Sequence, residues 1–163
     1  MSAHPDRPPY ESYAAITGAF AGLLATAGAL GRALDRDPQC QTPLDFAVLA
    51  AASFKAARTL ARDEITSFIR QPFVRGHAYA GEGEEPVPTG DMAQAVGELV
   101  TCTRCVGTWA AATLASTQIL APRFGRLLTW SLAAAALNDF LQGAFAALAA
   151  KANELEEREP AGV

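Results

Sequence analysis

Residues 12–31 run for 20 positions without a charged side chain, and nothing else in the chain limits its folding options as severely. A bilayer core of about 30 Å takes roughly 20 apolar residues in helical form. A surface helix of a water-soluble protein would instead show charges every turn along one face. Residues 105–122 are also uncharged over 18 positions. The stretch 127–150 is interrupted only by Asp139, and 44–60 carries Asp45, Lys55 and Arg58. The alternative is a soluble alanine-rich bundle, because alanine forms helices readily but is only a mild hydrophobe. Helices apolar all round are either deeply buried or spanning. With half of the chain hydrophobic and the charges collected in the connections, spanning is the expectation.

The expected fold is therefore all-α, a four-helix transmembrane bundle with a long cytoplasmic middle loop. A tail of residues 1–11 precedes a single helical membrane domain, 12–150, whose spans fall at about 13–34, 44–60, 105–122 and 127–150. Residues 76–91, rich in glycine, proline and acid, read as a mobile acidic loop, and 151–163 as a charged C-terminal tail. The connections 35–43 and 121–126 are short and contain proline, which joins antiparallel neighbours. Thr89 or Asp91 is placed to cap a short helix running through Val96 and Leu99 into the third span. The opening stretch MSAHPDRPPYE fits a cleaved export signal poorly, and the run after it is nearer a span than a signal core, so retention is expected.

Four spans put the N-terminus, the middle loop and the tail on one side. That side holds Arg7, Arg62, Arg70, Arg75, Arg104, Lys151 and Arg158, against Arg32, Arg36, Arg123 and Arg126 on the other. The bias favours a multi-pass protein of the cell membrane with both termini cytoplasmic. A net charge of −4 with no concentrated basic face excludes a nucleic-acid partner. The expected partners are the lipid bilayer and, beyond it, a second copy or another membrane protein.

Asp139 lies inside the fourth span with Asn138 and Gln142 beside it, and an ionised carboxylate there costs a few kcal/mol unless paired or hydrated. Lys55 is the expected partner, with Arg58 as second choice, because both lie well inside another span. An ion pair fixing helix register outranks a proton or solute pathway. Arg58, Arg62, Asp63 and Arg70 form a charged cluster at the inner interface, where such side chains reach toward headgroups. Gly18 and Gly22 make a Gly-x-x-x-Gly pair, continued by Ala25 and Ala29, that lets helix backbones approach closely. Packing within the chain is the first reading of that stripe and a homodimer contact the second.

Cys102 and Cys105 flank Thr103 and Arg104 at the start of the third span, where the helix dipole and the arginine both favour a thiolate. A membrane dithiol oxidoreductase would need a second pair, whereas Cys40 is alone on the other side. Zinc is the candidate cofactor at Cys102 and Cys105, but with His77 as a third ligand the set is still one short. Structural cysteines, a redox pair and a metal site all remain open. No catalytic residue emerges, and an interaction or structural role comes before an enzymatic one.

Three separated motifs, ARTLARDEITSFIRQPF, GELVTCTRCVGTW and LNDFLQ, occur in an order that resembles the domain of unknown function 1360 family of small bacterial and phage membrane proteins. The positions that match are Arg58, Arg62, Asp63, Arg70, Pro72 and Phe73, then Glu98, Leu99, Cys102, Cys105, Gly107 and Trp109, and finally Asp139 and Phe140. Thr103 stands where the family often has proline, which loosens the turn but keeps both thiols. The resemblance covers residues 44–150. It implies a multi-pass membrane protein and brings no reaction with it; the topology read from the charges puts Arg62, Asp63, Arg70, Glu98 and Trp109 of these motifs on the cytoplasmic face.

Overall fold

The computed structural model describes residues 8–36, 42–76 and 83–158, and within them the protein is all-α apart from one very short strand pair. Helix α1 spans Tyr10–Ala33, α2 Pro43–Arg62, α3 Ser67–Arg70, α4 Met92–Thr101, α5 Thr103–Leu120 and α6 Pro122–Arg158. Strands β1 (Val74–Arg75) and β2 (Glu85–Pro86) pair antiparallel, with Val74 opposite Pro86. Cys40 and His77 lie outside the described residues.

Local chemistry accounts for the helix starts. Thr42 Oγ1 accepts from the Asp45 N–H at 3.2 Å while Asp45 Oδ2 accepts from the Thr42 N–H at 3.0 Å, a reciprocal cap with Pro43 at the first helical position. Asp91 Oδ1 accepts from the Ala93 N–H at 2.9 Å and starts α4. Of the two expected caps it is Asp91 that contacts the backbone, and Thr89 supports it through a hydroxyl bond. Asp35, at φ 53°, ends α1 by turning the chain into the left-handed region, where the Arg36 N–H reaches the Gly31 carbonyl at 2.8 Å.

Helix α2 is the centre of the assembly and lies against both α5 and α6, while α1 rides on α5 and α4. The core is built of small side chains: Ala52, Ala57, Ala61, Ala95 and Ala136 are buried, with Val106 wedged between Ala57 and Ala61. Such residues gain little from leaving water but let backbones approach, so dispersion between close helices carries the packing. Most of the larger apolar side chains point the other way, although Leu114 is buried. Leu23, Phe46, Phe68, Leu127, Phe145 and Leu148 are all exposed, whereas the largest fully buried side chains are Arg70 and Thr129.

Two helices, Tyr10–Ala33 and the Pro122–Leu155 part of α6, are long and apolar enough to cross a membrane. Several sequence expectations need correction. The connection expected at 121–126 shrinks to Ala121, because α6 begins at Pro122 and Gly125 lies directly on α5. A Cβ at Gly125 would meet Gln118 Cα at 2.6 Å. Helix α4 does not run into α5, since Cys102, at φ −91° and ψ 102°, breaks the chain direction between them. The acidic loop 76–91 is partly built structure: 83–91 contributes β2 and a buried contact from Glu84, and 77–82 lie outside the described residues. Gly18 and Gly22 do not pack against the described residues, among which a Cβ at either would find nothing within 4 Å. The face of α1 that does touch its neighbours carries Tyr13, Ile16, Phe20 and Gly31, set off around the helix from the glycine stripe.

Candidate functional site

The chemistry-bearing residues gather at the end of the bundle where α2 finishes and α5 begins. The charged segment after α2 folds as two single 3₁₀ turns flanking α3, and this compact hook turns the Arg70 side chain inward. Its guanidinium donates from Nε to Glu84 Oε2 at 2.6 Å and from Nη2 to Glu84 Oε1 at 3.3 Å. Nη1 donates to the Leu60 carbonyl at 2.8 Å, the Asp63 carbonyl at 3.1 Å and Thr66 Oγ1 at 2.9 Å. The Arg70 and Glu84 side chains are 0% and 3% exposed. The guanidinium thus satisfies the exposed carbonyl end of α2 and a carboxylate from the far side of the loop at once. Arg70 was expected to reach toward headgroups; it is an internal strut instead. Glu84 was not singled out, because one acid among glycines and other acids looks solvated.

The other members of the expected cytoplasmic motif have separate duties. Asp63 ends α2, and its carbonyl also accepts from Thr66 Oγ1 at 2.9 Å. Arg62 is exposed on the last turn of α2. Glu98 accepts a hydrogen bond from the Tyr13 hydroxyl and another from Gln94 Nε2 at 2.9 Å, tying α1 to α4. Trp109 meets Phe20 edge to face, centroids 5.1 Å apart, and ties α1 to α5. Gly97 lets α4 press against the strand pair, since a Cβ there would lie 2.4 Å from the Phe73 carbonyl oxygen.

Cys102 and Cys105 meet at the break between α4 and α5. The Cys105 N–H donates to Cys102 Sγ at 3.3 Å, making the first thiol the N-cap of α5, and the Cys105 thiol donates to the same sulfur at 2.6 Å. Both are free thiols, Cys105 exposed and Cys102 partly so. The bond from the Cys105 thiol is the largest influence holding the Cys102 thiol below its ordinary value; backbone N–H groups and the Arg104 charge add to it, and partial burial opposes it. Among the described residues no third His, Cys, Asp or Glu joins the two sulfurs as a metal-binding group, and His77 lies outside them.

Lys55 Nζ donates to Asp139 Oδ2 at 2.7 Å, joining α2 to α6 through the partner expected for this carboxylate. Phe54 stacks on Phe140 one position along each helix, centroids 5.5 Å apart. The pair opens onto a cleft of about 420 Å³ shared with Arg58, Asp63 and Gln142. Arg58 lines this cleft without pairing with Asp139, and Asn138 is exposed beside it. Across the ridge of Phe54 and Arg58, which line both, a larger cleft of about 720 Å³ runs between α2 and α5, with Arg104 among its lining residues. Sequence spacing had not brought those two arginines together, since they lie on helices separated by the whole middle segment.

At the opposite end of the bundle, Arg36 donates to the Leu120 carbonyl and caps the last turn of α5. Just inside, Gln118 Nε2 donates to Thr129 Oγ1 at 2.9 Å, and Thr129 itself donates to the Gly125 carbonyl at 2.7 Å. This polar clasp, fully buried at Thr129 and half-buried at Gln118, fastens α5 to α6.

A sequence model described as a protein of unknown function, DUF1360, matches residues 48–145. The UPF0713 protein YngL of Bacillus subtilis (strain 168) is 29% identical over 105 residues, which cover 62% of this chain and 78% of that protein. No solved structure matches. The matched stretch runs from within α2, through the Arg70 hook and the two thiols, to beyond Asp139 in α6, and on that coverage the chain belongs to the DUF1360 family.

Proposed function

We propose that this is a four-span integral protein of the bacterial cell membrane, with both termini and the segment between α2 and α5 on the cytoplasmic side, acting as a structural or interaction component of that membrane. The observation that carries this reading is the placement of its apolar side chains: most large ones, such as Leu23, Phe46, Leu127 and Phe145, face outward, and the interior is mainly alanine with Val106 and Leu114. In water that arrangement would leave most of the available hydrophobic stabilisation unused, whereas in hydrocarbon the outward side chains meet a matching solvent. The lengths agree. At 1.5 Å per residue α2 and α5 measure about 30 and 27 Å, close to the bilayer core, and α6 at about 55 Å projects beyond it. The Arg70–Glu84 hook, Glu98 and the two thiols then form one inner cap.

Alkaline carbonate washing of membranes, followed by labelling with a membrane-impermeant maleimide and peptide mapping, tests the proposal. The chain should stay in the pellet, with Cys102 and Cys105 labelled in inverted vesicles and protected in intact cells. Release into the supernatant, or labelling of these thiols from outside, would overturn it.

The adjacency of the two sulfurs favours a second reading, a dithiol that exchanges with a partner disulfide. Cys102 as thiolate attacks, a mixed disulfide forms and one partner thiolate leaves. Cys105 then resolves the mixed disulfide, so that two electrons pass to the partner. Trapping a mixed disulfide with Cys105→Ser but not with Cys102→Ser would support it; trapping with neither would remove it.

A further inference from the structure

We propose that the cleft between α2 and α5 binds one anionic phospholipid of the cytoplasmic leaflet, its phosphate held by Arg58 and Arg104 and an acyl chain lying along the helix–helix groove. The inference rests on the membrane reading above and adds a specific ligand site to it.

The cleft, about 720 Å³, is graded along its length. At its cytoplasmic end stand two guanidiniums, Arg58 from the last turns of α2 and Arg104 from the first turn of α5, with Thr103 beside them. Below them the floor carries no charge: Ala57, Gly107 and Ala111 are joined by Phe54 and by the hydroxyl-bearing Ser53 and Thr108. Arg104 and Ala111 are seven residues apart on one helix, so the charged rim gives way to the uncharged floor within about 10 Å. Among the described residues no carboxylate lines this cleft; Asp63 and Asp139 line the adjoining cleft, which shares Phe54 and Arg58 with it.

Arg58 and Arg104 are both exposed, and neither engages a carboxylate in an ion pair among the described residues. Two guanidiniums at one rim repel each other unless an anion lies between them, and a phosphate monoanion accepts from both through planar forks. The first-turn N–H groups of α5 add the positive end of its dipole to the same rim. A free phosphate would satisfy the rim and leave the groove unfilled. A zwitterionic lipid would fill the groove but bring an ammonium close to the arginines. An anionic lipid matches both halves.

Full-length protein in neutral detergent should be titrated with fluorescent phosphatidylglycerol, with phosphatidylcholine of the same chain length, and with glycerol phosphate. Phosphatidylglycerol should bind saturably at one per chain and at least about tenfold more tightly than either comparison, a factor that one or two charge-assisted hydrogen bonds supply. The Arg58→Gln/Arg104→Gln variant should lose that preference, and Ala111→Phe, which fills the floor and keeps the charges, should weaken the lipid while sparing glycerol phosphate. Equal binding of the two lipids, glycerol phosphate as tight as phosphatidylglycerol, or full retention by the double arginine variant would each overturn the proposal. Carbonate extraction of the same protein separates the two claims: release from the membrane defeats the spanning reading, whereas an embedded protein without lipid preference defeats only this one.

Discussion

Arg70 and Glu84 meet in a two-pronged contact, Nε to Oε2 at 2.6 Å and Nη2 to Oε1 at 3.3 Å, and together hold the end of α2 against the chain that returns toward α4. Nη1 donates in addition to the Leu60 and Asp63 carbonyls and the Thr66 hydroxyl, so acceptors from α2, the hook and the returning loop converge on the charge.

Removing one member leaves an uncompensated buried charge. Glu84→Gln and Arg70→Met are each expected to lower stability by about 3–5 kcal/mol, and the combined Arg70→Met/Glu84→Leu change by less than either. Unfolding titrations in mixed micelles measure this. A double variant worse than both singles would mean that the hook depends on the arginine's backbone contacts rather than on the pair.

The Lys55–Asp139 pair should behave differently, because its side chains are 21% and 39% exposed. A double-mutant cycle with Lys55→Gln and Asp139→Asn is expected to return a coupling of about 1 kcal/mol or less. A coupling several times larger would place the pair away from water.

Alkylation of Cys102 should follow a pH profile displaced below that of an ordinary thiol, since its thiolate is favoured by the Cys105 thiol and by Arg104. A lowered value keeps the reactive form populated as pH falls, so reaction should persist at pH values where a free cysteine has slowed. Cys105→Ala should move the inflection upward, and Arg104→Gln should move it upward by less. Peptide-resolved mass spectrometry of iodoacetamide products reads both, and an unchanged profile in Cys105→Ala would show that the sulfur–sulfur contact does not control the first thiol.

Two kinds of glycine should respond oppositely to alanine. Gly125→Ala forces a Cβ to within 2.6 Å of the Gln118 backbone and is expected to cost about 1–3 kcal/mol. Gly18→Ala and Gly22→Ala meet open space among the described residues, so the fold itself should shift by no more than about 0.5 kcal/mol. Comparable losses at all three positions in a monomeric sample would contradict the open face of α1.

Much of this arrangement was legible in the sequence because it depends on run length and charge placement. The long helices follow from uncharged stretches, the Asp91 cap from its position before an apolar run, and the Lys55–Asp139 contact from opposite charges inside otherwise apolar helices. What escaped was set by tertiary closeness. Gly125 looked like part of a loop, although its lack of a side chain is what lets α6 begin against α5 after a single connecting residue. Glu84 looked like one of several solvated acids, and only the inward turn of α3 brings Arg70 to it. The Gly18/Gly22 spacing would permit close packing, but spacing along one helix does not tell which face the rest of the chain will use.

The alanine interior also changes what substitution does to this protein. In a water-soluble domain the inside is made of bulky residues that resist shortening, and the outside accepts nearly any polar exchange. Here the inner positions, such as Ala57 and Ala61, would resist enlargement, because each extra carbon separates helices whose whole attraction lies in their nearness. On the proposed membrane reading, the outward leucines and phenylalanines could be traded among themselves with little effect, since lipid chains have no fixed shape for them to match. A saturation scan should therefore give a map turned inside out, with strict demand for smallness within and broad tolerance of any oily side chain without.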